Sequence, residues 1–301
     1  MKHLLGICDL SAQEIKTILD HAQMYADGLS SGDYDAQKHK GKIILHLFFE
    51  NSTRTLTSFE MAAKRLGAEV INWNRETSSL KKGESFMDTI DTLNAMRPDA
   101  IVLRHSEYGA PNYIAKRMDC SVINGGDSWR EHPTQALLDA LTMRQHFGKL
   151  DGLTVAIVGD IAHSRVASSN MGLLTKMGAN VRVIAPLELM PEKLAAGGVE
   201  KFTDLNDGLN GADVVMSIRP EKERMDKVLI HDAAYFNEYG LTHERLEHAK
   251  KDAIVLDPGP FIRGLQISDE LAEDKTRFLY APQVANGIPT RMAVLDLLLS
   301  S

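Results

Sequence analysis

Short apolar runs recur along the chain, most of them closed by a polar or charged residue, and between them lie longer stretches with apolar residues three and four apart. That alternation predicts strands separated by amphipathic helices, hence an α/β fold with parallel sheets. Strands are expected at residues 43–47, 69–73, 100–105 and 121–126, and again at 154–160, 181–185, 214–218 and 254–256. Helical spacing is clearest where Leu56, Phe59, Ala63 and Leu66 share a face, and over residues 86–96, 133–147 and 164–177. Pro133 suits a first helical position, and Gly178 suits a helix stop.

The pattern restarts after the helix that begins at Pro133 and the following Lys149-Leu150-Asp151-Gly152. It therefore predicts two doubly wound parallel-sheet domains joined by long helices, with that helix and the 149–152 segment as the candidate junction and the domains assigned as residues 1–133 and 134–284. The strongly apolar helix at 290–299, within a segment 285–301, is expected to pack back on the first domain.

A length of 301 residues and a hydrophobic fraction of 44% suit two such cores. The net charge of −7 argues against a broad grip on nucleic acid or an anionic membrane, so any anion site must be local. Cys8 and Cys120 stand far apart and outside any C-x-x-C pair, which predicts free thiols in a reducing compartment. No apolar stretch approaches membrane-spanning length and the first residues do not read as a signal peptide, so a cytoplasmic protein is expected. His39, His146, His231 and His248 lie in polar surroundings and are expected to be solvated.

Ligands of open α/β sheets gather beyond the carboxyl ends of the strands. Five polar clusters fall there: Ser52-Thr53-Arg54-Thr55, Arg104-His105, His132 with Gln135, His163-Ser164-Arg165, and Arg219. The first combines a helix N-terminus with hydroxyls and a guanidinium, a combination suited to phosphate. The same residues also fit a capped helix carrying an exposed arginine. Converging arginines suit a substrate rich in phosphate and carboxylate oxygens. Gly159 opens no G-x-G-x-x-G, and there is no G-x-x-x-x-G-K-[ST], no H-E-x-x-H and no zinc-type cysteine spacing. On local grounds, Lys81-Lys82-Gly83-Glu84 reads as an exposed turn.

With these residues in view, the chain resembles the aspartate/ornithine carbamoyltransferase family from about residue 5 to the last helix. Ser52-Thr53-Arg54-Thr55 stands as the family's S-T-R-T, and His132-Pro133-Thr134-Gln135 as its H-P-T-Q, with the arginine-bearing strand end at Arg104 between them. Asp257-Pro258-Gly259-Pro260 is similar to the H-P-[LG]-P of the aspartate-specific members rather than the H-C-L-P of the ornithine-specific ones. Ser79 to Glu84 resembles their mobile serine/lysine loop, and Arg219 to Arg224 their R-x-Q-x-E-R.

The resemblance implies transfer of a carbamoyl group from carbamoyl phosphate to L-aspartate, with neither cofactor nor metal. Ser52, Thr53, Arg54, Thr55, Arg104, His132, Gln135 and Ser79 would hold carbamoyl phosphate. Arg54, Thr55, Arg104, His132 and Lys82 would act in catalysis. Lys82, Arg165, Arg219, Glu221, Pro258 and Gly259 would meet aspartate. Ser79 and Lys82 would come from a neighbouring subunit, implying a homotrimer with shared sites, and Glu50 would pair with Arg165 and Arg224. Larger assemblies with regulatory chains or a dihydroorotase stay open. Two departures stand out: Glu221 replaces the family's Gln, and Asp257 replaces its His. They keep two alternatives open, a carbamoyltransferase for another amine and a non-catalytic paralogue that serves in assembly.

Overall fold

The computed structural model describes residues 1–73, 83, 85–225 and 230–300. The chain divides into two compact units, Met1–Leu137 with Asn286–Ser301, and Leu138–Ala285. In chain order the first contains α1 (Ala12–Ser31), β1 (Ile43–Phe48), α2 (Thr53–Arg65), β2 (Glu69–Trp73), α3 (Phe86–Ala95), β3 (Ala100–His105), α4 (Ala110–Ala115) and β4 (Ser121–Asp127). The division falls inside α5 (Pro133–Phe147). The second unit continues with β5 (Thr154–Gly159), α6 (Arg165–Lys176), β6 (Asn180–Ile184), β7 (Glu200–Phe202), α7 (Leu205–Leu209) and β8 (Val214–Ile218). After these come α8 (Asp232–Tyr239), α9 (His243–Leu246), β9 (Ile254–Leu256), α10 (Asp269–Glu273) and α11 (Tyr280–Ala285). The last helix, α12 (Gly287–Leu299), belongs to the first unit.

Both sheets are parallel, in the order β2-β1-β3-β4 and β7-β6-β5-β8-β9. Each order reverses direction along the chain next to its first strand, the arrangement that opens a crevice at the carboxyl ends. The central strands β3 and β8 are buried almost throughout, as expected where helices cover both faces.

The hydrophobic pattern did not predict α1. Its start is a capping box: Ser11 accepts from the Glu14 amide, and Glu14 accepts from the Ser11 amide. Ile15, Ile18, Leu19, Ala22 and Tyr25 form its buried stripe, and the helix stops at Gly32, whose φ of 81° suits a residue without Cβ. The stripe packs on α12, which also lies against α2, and the Arg291 guanidinium sits 5.0 Å from the Phe59 ring centre.

A polar cluster pins this layer. The buried Asp296 carboxylate of α12 accepts from the Tyr25 hydroxyl at 2.8 Å and from the Lys38 ammonium at 2.7 Å, and meets His39 Nε2 at 2.9 Å. Burial alone would raise the Asp296 carboxyl, but the bonds from His39, Lys38 and Tyr25 hold it far below the usual carboxylate range. His39 is therefore buried and bonded, not solvated, because its partner lies at the far end of the chain.

Candidate active site

In the first unit the candidate residues stand at the carboxyl ends of three adjacent strands. Beyond β1, Ser52 takes the N-cap position of α2 in an extended conformation, and its side chain makes no capping bond to the helix. Thr53 and Arg54 are exposed on the first turn, so helix amides, hydroxyls and a guanidinium share one face of solvent. Thr55, one residue on, is buried, and its hydroxyl lies 3.3 Å from His132 Nε2. His132 itself is buried just ahead of α5, and Gln135 is buried on the first turn of that helix.

Arg104, the last but one residue of β3, stands opposite Phe48 of β1, where the register with β4 shifts between Leu103 and His105. Such an irregularity re-aims side chains at a strand end. The Arg104 Nη1 donates to the Gly125 carbonyl at 3.3 Å, and its Nε is 3.3 Å from the Glu50 carboxylate. A guanidinium held from two sides is fixed in direction before any substrate arrives. Next to it, His105 stacks into an aromatic cluster with Phe49 and Phe86 and accepts the Glu107 amide through Nδ1.

In the second unit the polar groups again follow adjacent strands, β5, β8 and β9. Gly159 ends β5 with φ at 133°, and a Cβ there would lie 1.7 Å from the Ile218 carbonyl oxygen. Only glycine permits that approach, which brings the ends of β5 and β8 together. Asp160 follows, fully buried. One of its oxygens accepts from the His163 amide at 3.1 Å and lies 2.8 Å from His163 Nδ1, while the other accepts from the Glu221 amide at 3.0 Å. A single carboxylate thus ties the loop before α6 to the loop after β8. Arg165 opens α6 after a Ser164 cap and is buried.

Glu221, one of the two departures from the family pattern, is an ion-pair partner. Its carboxylate is 3.2 Å from Arg224 Nε and 4.0 Å from Arg219 Nη2. Arg224 also donates to the His163 carbonyl at 2.9 Å, and Lys222 pairs with Asp232 instead. Asp257, the other departure, is buried just beyond β9. Its two oxygens accept from the Gly259 amide and from Gln266 Nε2, each at 2.7 Å. Pro258 and Gly259 are half-buried. Ser79 and Lys82, with Lys81 and Glu84, lie outside the described residues.

Sequence reasoning did not assign a role to Asp160. A carboxylate directly after a glycine at a strand end was the available signal. It also passed over Asp139, Asn170, Gln266 and Gln283, whose partners are distant in sequence and which carry no local pattern.

Comparison with known proteins adds to this geometry. Residues 2–145 match the family description "Aspartate/ornithine carbamoyltransferase, carbamoyl-P binding domain", and residues 151–298 match "Aspartate/ornithine carbamoyltransferase, Asp/Orn binding domain". The aspartate carbamoyltransferase catalytic subunit of Granulibacter bethesdensis is 52% identical over 98% of this chain and 94% of its own. Aspartate transcarbamoylase of Trypanosoma cruzi, solved with carbamoyl phosphate and aspartate, is 29% identical and superposes with a TM-score of 0.85 over 98% of this chain and 96% of its own. The ornithine carbamoyltransferase of Pyrococcus furiosus is 29% identical with a TM-score of 0.88, over 100% and 97% of the two chains. Backbone shape is thus shared across acceptors, and the acceptor has to be read from sequence and site.

Proposed function

We infer the reaction from a plain premise: this chain belongs to the aspartate/ornithine carbamoyltransferase family. It is an aspartate carbamoyltransferase, moving the carbamoyl group from carbamoyl phosphate to the amine of L-aspartate to give N-carbamoyl-L-aspartate and phosphate. The observation that carries this reading is the 52% identity to an aspartate carbamoyltransferase catalytic subunit along nearly the whole of both chains. In metabolism the product is an early precursor of pyrimidines.

The roles of individual residues are our proposal. Ser52, Thr53, Arg54 and Thr55 take the phosphate oxygens at the N-terminus of α2, supported by the exposure of Arg54 there. Arg104, Thr55 and His132 face the carbamoyl oxygen, and Gln135 accepts from the carbamoyl amino group. When the aspartate amine attacks the carbamoyl carbon, charge develops on that oxygen, and donors fixed in advance stabilise it at little reorganisation cost. The 3.3 Å contact between Thr55 and His132 and the two-sided hold on Arg104 support this preorganisation. Breaking the C–O bond then releases phosphate, whose charge Arg54, Arg104 and Lys82 neutralise. Arg165 and Arg219 bind the aspartate carboxylates, and Pro258 and Gly259 complete the acceptor side. Holding both substrates on one enzyme converts an encounter into an intramolecular step.

The proposal extends to assembly: a cytoplasmic homotrimer in which Ser79 and Lys82 complete a neighbour's site. Among the described residues no helix is long and apolar enough to cross a membrane. Purified enzyme supplied with carbamoyl phosphate and aspartate should release phosphate and form a product of carbamoyl-aspartate mass. Turnover with ornithine and none with aspartate would overturn the reading. For the shared site, Lys82→Ala and His132→Ala proteins should each be nearly inactive and recover activity when reassociated. No recovery in verified mixed trimers would place each site within one chain.

A further inference from the structure

The acceptor-side segment after β9 is built on a continuous chain of buried side chains. Asn170 Nδ2 donates to Asp139 Oδ2 at 2.9 Å, and Gln283 Nε2 donates to Asp139 Oδ1 at 2.7 Å. The other end of the same glutamine, Oε1, accepts from the Asp257 amide at 2.9 Å. Asp257 then accepts from the Gly259 amide and from Gln266 Nε2, while Gln266 Oε1 accepts from the Ile262 amide at 3.1 Å. All five side chains are buried to 2% exposure or less.

The donor and acceptor inventory makes this chain directional. An ionised carboxylate only accepts and a backbone N–H only donates, so Gln283 fits in one orientation between Asp139 and Asp257. Gln266 is fixed in the same way between the Asp257 carboxylate and the Ile262 amide. The turn at Pro258 and Gly259 is therefore folded around Asp257, with Gly259 in the left-handed region at φ 70°. Amide hydrogen bonds reach both buried carboxylates, and in such a setting their worth depends on correct geometry.

We propose that Asp257, Gln266 and Gln283, anchored on Asp139, are positioning residues that set the Pro258–Gly259 turn for the aspartate acceptor. The proposal rests on the acceptor-side reading of that turn. It also gives Asp257 a purpose: a carboxylate that organises its own loop and is turned away from competition with the substrate's carboxylates.

The decisive probe is Gln283→Glu, which sets a carboxylate against Asp139, paired with Asp139→Asn/Gln283→Glu, which restores a donor opposite an acceptor. Gln283→Glu should raise the KM for aspartate at least about tenfold and leave the KM for carbamoyl phosphate within about twofold. The double variant should return the aspartate KM to within about threefold of wild type. A purely structural role would lower Tm and the active fraction without this split or this rescue. If Gln283→Glu does not fold, Gln266→Met carries the test and should raise the aspartate KM about fivefold. Gly259→Ala tests the underlying reading, because it strains the turn itself. Unchanged aspartate constants in Gly259→Ala would remove the acceptor reading and the proposal with it. A raised aspartate KM in Gly259→Ala, with wild-type constants in folded Gln283→Glu and Gln266→Met, would leave the reading standing and overturn the proposal.

Discussion

Replacing Glu221 by Gln should increase kcat/KM for aspartate by about threefold, and by less than tenfold. Arg219 is accompanied by two further charges, Glu221 and its partner Arg224. An acceptor carboxylate bound by the Arg219 guanidinium about 7 Å from the Glu221 carboxylate would meet a repulsion of ~2.4 kcal/mol at an effective dielectric of about 20. The Arg224 guanidinium is paired with Glu221 at 3.2 Å. At about 10 Å it returns ~1.7 kcal/mol of attraction. The residue is ~0.7 kcal/mol, which corresponds to roughly a threefold change in kcat/KM. Arg224→Ala removes the compensating charge and should cost aspartate more than tenfold, while the same change in a Glu221→Gln background should cost much less. The coupling in that double-mutant cycle measures the pair directly. Steady-state kinetics over aspartate and a panel of cationic amines give the readout. A collapse of aspartate turnover in Glu221→Gln would refute the reasoning and identify the carboxylate as a direct contact of the acceptor.

Arg54→Ala should lower kcat on the order of a hundredfold or more while leaving Tm and circular dichroism unchanged, since the side chain is exposed and its proposed role is on the departing phosphate. Near-normal kcat would remove the phosphate role from the start of α2. His46 is buried on β1, and burial pushes its pKa down from 6.5 to about 4, with the bond to Asn72 opposing. The unfolded chain therefore binds a proton that the folded chain refuses, so this group's contribution is intact above pH 6.5 and is lost as pH falls toward 4, by ~3 kcal/mol. Urea titrations should show a shallower acid loss for His46→Leu than for wild type, and parallel curves would contradict the assignment. Asp296→Ala should destabilise the protein by about 2–4 kcal/mol, because it leaves the buried Tyr25 hydroxyl and His39 ring without their acceptor, while the exposed Lys38 ammonium turns to solvent. A loss below about 1 kcal/mol in the same titration would show that solvent replaces the carboxylate.

Where the physics is local, the sequence was legible. Runs such as 100–105 and 214–218 announce buried strands because helices on both faces demand unbroken apolar residues. The S-T-R-T and H-P-T-Q stretches were legible for the same reason, since each is a strand-to-helix or loop-to-helix junction defined within a few residues. The helix α1 went unread although Ser11 and Glu14 spell out its capping box, because its polar positions obscure the stripe. The strand β7, three residues at a sheet edge, buries too little to leave a pattern. His39 and Asp257 mark the other boundary. Their surroundings are set by Asp296, Gln266 and Gln283, residues that only the folded chain brings near. Glu221 is a local case by contrast, since its ion-pair partner Arg224 stands three residues on.

The return of α12 to the first unit has a consequence for biosynthesis. The second unit is contiguous in the chain, so every residue it needs is available once Ala285 has been made. The first unit is not. Through all of that synthesis the apolar stripe of α1 and the exposed flank of α2 await a helix that has yet to be translated. The contacts of α1 and α2 with α12 can thus form only after the residues of the second unit have been made, and closing that long loop carries an entropic cost. During this interval, a chaperone that shields apolar helix faces would find its client in residues 12–31, and its release would coincide with the docking of Asp296 on Tyr25.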